Sequence, residues 1–184
     1  YEGRRYDVGA DWSSASYPFA AAAIAGGDVR VAGLHSDSVQ PEARFVHVLA
    51  SMGCVVRSDA DGVVVSRDTT QPLRGADVDM GMMSDLVPTL AVIAACAEGP
   101  TTIRGVGFEV HELPDGLHIV PRALHAEALD THDDHRLAMS LALLGLRCEG
   151  VAVRDPEVVA KSWPDYWSAM ARGLGLEIRD EPHR

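Results

Sequence analysis

Three times along this chain a polar cap leads into an all-apolar helix, the helix stops at glycine, and a strand follows. The first copy is Asp11-Trp12-Ser13-Ser14, a helix from about Ser16 to Ile24, the stop Gly26-Gly27, and the alternating stretch Val29 to Leu34. The second is Ser84-Asp85, a helix from Leu86 to Ala97, the stop Glu98-Gly99, and Thr101 to Val106. The third is Asp134-His135-Arg136, a helix ending at Glu149-Gly150, and Val151 to Asp155. Chance rarely repeats capping, burial and stop signals in one order, so the pattern predicts a threefold repeated α/β domain. Helices that are small or apolar on every side have no face for water and belong inside such a domain.

The first repeat shows the fullest unit. Tyr6-Asp7-Val8 reads as a short strand before the first helix, and Pro41 starts a second helix through Met52, with Phe45, Val48, Leu49 and Met52 on one face. Cys54-Val55-Val56 and Val63-Val64-Val65, joined by Asp59-Ala60-Asp61-Gly62, read as a β-hairpin. The unit is therefore strand, helix, strand, helix, hairpin. The second repeat is shorter: 71 residues separate Ser13 from Ser84, but only 50 separate Ser84 from Asp134. There the strand ending at Gly107 runs straight into a hairpin, Phe108 to His111 and Leu117 to Val120, turned by Pro114-Asp115-Gly116. One helix and its leading loop are missing between Gly107 and Phe108; either the protein lacks them or they belong to it outside this sequence.

A chain of 184 residues can bury a good core in one domain or two small ones. The formal net charge of −11 argues against a nucleic-acid partner, which needs a basic face. The longest apolar run, Leu137 to Leu146, is too short to span a bilayer, and with no charged-then-apolar leader the expectation is a cytoplasmic protein. Cys54, Cys96 and Cys148 lack metal-ligand spacing and read as small core residues in a reducing compartment.

The caps offer the chemistry. Asp11, Ser13 and Ser14 read first as a helix cap. Ser84 suffices to cap its helix, which leaves the Asp85 carboxylate free to accept a proton or a substrate hydroxyl. His135 and Arg136, at a helix start, suit a proton donor and an anion clamp. Lys161 precedes a helix that Pro164 and Asp165 can start, and reads by itself as a turn lysine. Trp163, Tyr166 and Trp167 have core-like spacing. His111, His118, His125 and His132 show no metal spacing, and only His132 lies near the caps.

Four stretches, Asp11-Trp12-Ser13-Ser14-Ala15-Ser16-Tyr17, Ser84-Asp85-Leu86-Val87-Pro88-Thr89, Asp134-His135-Arg136-Leu137-Ala138-Met139 and Ala160-Lys161-Ser162-Trp163-Pro164-Asp165-Tyr166-Trp167, resemble the ordered motifs of the 5-enolpyruvylshikimate-3-phosphate synthase family. The last two favour it over UDP-N-acetylglucosamine enolpyruvyl transferase. The resemblance implies one domain, residues 1–184, of the enolpyruvyl transferase fold: three βαβαββ units with buried parallel helices, the C-terminal half of a two-domain enzyme whose active site lies between its halves. It implies transfer of the enolpyruvyl group of phosphoenolpyruvate to the 5-hydroxyl of shikimate 3-phosphate, with phosphate released and neither metal nor cofactor used. By motif, Asp85 matches the aspartate that holds the shikimate hydroxyl and takes part in proton transfer. His135 and Arg136 match phosphoenolpyruvate-site residues, and Lys161 the lysine near the same substrate.

Two departures qualify the match. The N-terminal domain, with its share of both substrate sites, is absent. The family's Lys-Glu-x-Asp-Arg segment, with a catalytic glutamate and a phosphoenolpyruvate-binding arginine, belongs in the stretch missing after Gly107. The expectation is that the 184-residue chain alone does not turn over. A non-catalytic binding domain of the same fold is the competing reading.

Overall fold

Ala20 to Ile24 give the first helix no polar side, and all five residues are buried. In a computed structural model, which describes residues 3–5, 8–105 and 116–179, this helix is α1 (Trp12–Ala25). It begins four residues before the expected start because Asp11 takes the N-cap: its carboxylate accepts from the backbone N–H groups of Ser13 (3.0 Å) and Ser14 (3.1 Å) and from the Ser14 hydroxyl (2.6 Å). Beyond the Gly26 stop, β1 (Gly27–Ala32) pairs antiparallel with β3 (Gly62–Arg67), which pairs antiparallel with β2 (Val55–Asp59). The predicted hairpin thus has a two-residue turn, Ala60-Asp61. Its Gly62 has φ +146°, and a Cβ there would meet the Val31 carbonyl oxygen at 2.2 Å, so the position takes no side chain. The helix expected from Pro41 to Met52 divides into a 3₁₀ turn (Pro41–Arg44) and α2 (Phe45–Ser51), with Leu49 and Met52 fully buried.

The second repeat supplies β4 (Asp77–Asp79), a 3₁₀ turn (Ser84–Leu86), α3 (Val87–Ala95), β5 (Thr101–Arg104) and β6 (Gly116–Ile119). β4 is parallel to β5, and β6 antiparallel to it. The third supplies β7 (Ala128–Leu129), α4 (His135–Leu141), a 3₁₀ continuation (Ala142–Leu146) and β8 (Ala152–Val153), with β7 parallel to β8. A 3₁₀ turn (Pro156–Lys161) and α5 (Tyr166–Leu174) end the described chain. The repeats are less equal than their signatures suggest. Val8 is not in a strand, while Tyr6, Asp7, His111, the Gly107–Phe108 junction and the Phe108 arm of the second hairpin lie outside the described residues.

α1, α3 and α4 pack on one another in a shared core. Their N-terminal ends meet, since the Tyr17 side chain lies within the fields of Asp11, Asp85, Asp134 and Arg136. Their far ends meet too, since Arg147 donates to the Ile24 carbonyl (3.3 Å) and lies near Cys96. The helices are therefore parallel, as the enolpyruvyl transferase fold implies. About a turn and a half in from the polar starts at Asp11, Ser84 and Asp134, three hydroxyls make one buried row. Ser16 Oγ donates to the Ser13 carbonyl (2.7 Å), so Thr89 Oγ1 donates to Ser16 Oγ (3.5 Å) and Ser140 Oγ to Thr89 (3.2 Å). At the far end Arg67, 6% exposed, caps α1 with its guanidinium, donating from Nε to the Ala23 carbonyl (2.5 Å) and from Nη2 to that of Ile24 (3.1 Å). Of the cysteines, Cys54 is buried and burial pushes its thiol up to about 11; Cys96 and Cys148 are only partly covered.

Candidate active site

The site grows from the helix starts. Asp134 is the N-cap of α4, and its Oδ1 accepts from the backbone N–H of Arg136 (2.7 Å) and Leu137 (3.3 Å). Pinned this way, the first turn of α4 presents His135 and Arg136 side by side. The turn feeding it is strained: His132 and Asp133 are both left-handed, at φ 48° and 60°, positions that cost roughly 1–2 kcal/mol for a residue with a Cβ. Thr131 just before them is fully buried, and its hydroxyl has no partner among the described residues. His132, read from sequence as the imidazole to watch, is exposed and its N–H is held by the Asp130 carboxylate (2.8 Å).

The second repeat behaves differently from the reading of its cap. Ser84 makes no capping bond; it opens a 3₁₀ turn whose N-cap position is Met83. Nor is Asp85 free, because its Oδ2 accepts from Arg136 Nη2 at 2.7 Å, across 51 residues of sequence. This pair ties the start of the second repeat's helix to that of the third. Lys161, exposed at the end of the Pro156–Lys161 turn, adds its charge beside His135. Asp165 sits at the N-cap of α5 without a side-chain capping bond. The four predicted residues thus converge: His135 lies within the fields of Arg136, Lys161 and Asp85. Burial, followed by the charge of Arg136, holds the His135 imidazole below its usual range; Asp134 pulls the other way. The group is an imidazole held toward its neutral form, flanked by two cations, Arg136 and Lys161, and two carboxylates, Asp134 and Asp85, a set that can clamp an anion and move a proton.

An aromatic frame supports this set. Tyr166 is buried and donates its hydroxyl to the Met139 carbonyl (2.7 Å), locking the Lys161 region to α4. Tyr17, Trp163 and Trp167 each meet its ring edge-on, with centroids 5.0–5.7 Å away. The three aromatics following Lys161 pack inward as expected. Tyr17, beneath the caps, carries no role in the sequence reading; its signal there is its place at the end of the first of the four family-like stretches. Burial pushes its phenol above the ordinary range. Among the described residues, no His, Cys, Asp or Glu side chains form a metal-binding cluster of three or more, and no helix is long and apolar enough to cross a membrane.

The family model for EPSP synthase (3-phosphoshikimate 1-carboxyvinyltransferase) matches residues 1–108 and 103–170. The chain belongs to the EPSP synthase family. One EPSP synthase relative, the 3-phosphoshikimate 1-carboxyvinyltransferase of Methanoculleus marisnigri, is 45% identical over 197 residues, covering 96% of this chain and 46% of its own length. That alignment is longer than the 184 residues of the chain. A solved EPSP synthase from Acinetobacter baumannii superposes with a TM-score of 0.72 at 23% identity, covering 90% of this chain and 46% of the other. The enolpyruvyl transferase NikO from Streptomyces tendae gives 0.69 at 24% identity, covering 94% and 44%. These two likenesses show the fold. The chain spans about half the length of the curated EPSP synthases it matches.

Proposed function

We propose that this chain is the C-terminal half of an enzyme that transfers the enolpyruvyl group of phosphoenolpyruvate to the 5-hydroxyl of shikimate 3-phosphate, releasing phosphate in the cytoplasm. The observation that carries this reading is the convergence of Asp85, His135, Arg136 and Lys161 from the second and third repeats onto one end of the helices. In the addition step the 5-oxygen bonds to C2 of phosphoenolpyruvate, its proton passes to Asp85, and C3 gains a proton from an acid of the complete site. In the elimination step C3 returns that proton to the same group as the bond from C2 to the phosphate oxygen breaks, restoring the C2–C3 double bond as an enol ether, and the departing phosphate takes the proton held by Asp85. Arg136 and Lys161 bind the anionic groups of phosphoenolpyruvate, and His135 hydrogen-bonds beside them and exchanges a proton as charge develops. The relatives' names weigh against a nucleotide-sugar acceptor.

The rest of the site lies elsewhere. The N-terminal half completes the cleft, and a segment carrying further site residues belongs between Gly107 and Phe108 of this single domain, residues 1–184. The two stretches of family match overlap only at 103–108, where the repeat spacing is short, which supports that placement. Phosphate release tests the reading directly. The 184-residue chain should give no turnover with both substrates, whereas the complete protein should turn over shikimate 3-phosphate and leave UDP-N-acetylglucosamine untouched. A complete protein inert toward both would sink the proposal in favour of a binding domain.

A further inference from the structure

Of the four converging side chains, Lys161 has the least to hold it. It is exposed, its ammonium makes no hydrogen bond or ion pair among the described residues, and it stands at the last position of the Pro156–Lys161 turn. The chain enters this turn through Asp155, left-handed at φ 48°, and leaves it through Ser162 and Trp163, whose N–H groups both donate to the Val159 carbonyl (3.1 and 2.9 Å). A 3₁₀ turn has poor hydrogen-bond geometry and does not stay rigid by itself. A charge that must meet an anion at one place therefore needs its backbone fixed by other side chains.

The fixing contacts run from α4 to the turn through two aromatic residues. Tyr166 donates its hydroxyl to the carbonyl of Met139, one helical turn on from His135 (2.7 Å). Its ring meets that of Trp167 edge-on, with centroids 5.0 Å apart and planes at 77°. Trp167 then donates its Nε1–H to the Pro156 carbonyl at 2.9 Å, reaching the first residue of the turn from eleven residues away. Between these ends Val159, 1% exposed, plugs the turn into the core. Packing by itself asks only for a large apolar ring at position 167. The indole N–H does more: it makes the one side-chain hydrogen bond, among the described residues, that closes residues 156–167 into a loop with Lys161 at its middle.

We infer that Trp167 is a positioning residue of the site: by tying the head of the Lys161 turn to the aromatic frame on α4, it holds the lysine beside His135. On the enolpyruvyl-transfer reading, on which this rests, Lys161 binds an anionic group of phosphoenolpyruvate. Trp167 touches no substrate and acts only through the lysine.

The His135 imidazole reports where the lysine is. It faces Arg136 and Asp134 on its own helix, Lys161 from the turn and Asp85 from the second repeat, and the lysine's charge lowers its titration midpoint. NMR titration of the 184-residue chain reads that midpoint. Lys161→Met should raise it. Trp167→Phe keeps an apolar ring and removes the N–H; it should raise the midpoint by at least half as much, and by nothing further when made in the Lys161→Met background. A shift of equal size in both backgrounds would mean that the change loosens α4 around His135 instead of releasing the lysine. No shift with Trp167→Phe would mean that the turn holds without the indole bond, and none with Lys161→Met that the lysine does not sit beside the imidazole. Any of the three overturns the assignment. If Trp167→Phe does not fold, benzothienylalanine at position 167, which keeps the bicyclic ring and puts sulfur in place of the N–H, gives the same comparison. The titration uses no substrate, so this role of Trp167 and the enolpyruvyl-transfer reading can fail separately.

Discussion

Arg67 gives the sharpest test of how this domain is held together. It is 6% exposed, and its bonds go to main-chain carbonyls: Ala23 at 2.5 Å, Ile24 at 3.1 Å and Gln71 at 2.8 Å. The first two belong to the last turn of α1, where carbonyls lack helical partners and the helix presents roughly half a negative charge. Arg67→Met keeps the stem and removes the fork, leaving three carbonyls short of a donor. A hydrogen bond from a charged group contributes about 1.5–3 kcal/mol. Three such bonds are not additive, and losing the cost of burying a guanidinium, several kcal/mol, offsets part of the sum. Arg147 still reaches the Ile24 carbonyl at 3.3 Å, so one of the three is only partly orphaned. The net expectation is a loss of about 2–4 kcal/mol, or roughly 4–16 °C in Tm for a domain of this size. Urea unfolding followed by fluorescence of Trp12, Trp163 and Trp167 measures it, with an unchanged m-value showing that the unfolded state is unaltered. Arg67→Lys should recover only part, because one ammonium cannot match the planar fork. A loss under about 0.5 kcal/mol for Arg67→Met, the scale of an ordinary surface substitution, would refute the capping argument.

Two predictions concern the site. The folded-state pKa of His135 is depressed, so the unfolded chain binds the proton more readily; the stability this group contributes is complete above the unfolded value of about 6.5 and is lost as pH falls through the lower folded value. An anion beside the imidazole favours its charged form, so inorganic sulfate, a dianion throughout this range, should bind more tightly as the pH falls from 7.5 to 5.5, with proton uptake seen by calorimetry in buffers of different ionisation enthalpy. His135→Asn should flatten both dependences, and an unchanged slope would remove His135 from the site. Asp85 and Arg136 are half-exposed, so Asp85→Asn should change stability by no more than about 1 kcal/mol. It should nevertheless tighten phosphate binding roughly fivefold by releasing the guanidinium, at about 1.4 kcal/mol per factor of ten, while Arg136→Ala weakens it. Weaker phosphate binding in Asp85→Asn would show that the pair is not a competitor for the anion.

The repeated architecture was legible because each helix carries its own start and stop, and Asp11 and Asp134 cap their helices as acidic starts should. The second start misled, because in Met83-Ser84-Asp85 the chain tightens into a 3₁₀ turn and the serine never reaches an amide. Boundaries blurred where helices tighten, at Pro41–Arg44 and Ala142–Leu146, since sequence period separates 3.0 from 3.6 residues per turn poorly over one turn. The site residues could be named, but the ion pair between Asp85 and Arg136 depends on how two repeats face each other, which no local spacing encodes. Arg67 was hidden for a related reason: an arginine ending a valine-rich strand looks solvated until a helix end is brought over it.

The buried hydroxyl row has a consequence for the helix starts above it. Ser16 and Ser140 each lie five residues past Asp11 and His135, about 7.5 Å along a helix rising 1.5 Å per residue. The row is therefore a fulcrum with the caps at the ends of its arms. Its small side chains set how closely the three axes approach, and that distance sets the gap that Arg136 bridges to Asp85. A wedge of one or two methyl groups there, as in Ser140→Val, would splay the arms and stretch the Asp85–Arg136 pair, so the spacing of these two charges is gauged from below by residues that touch neither.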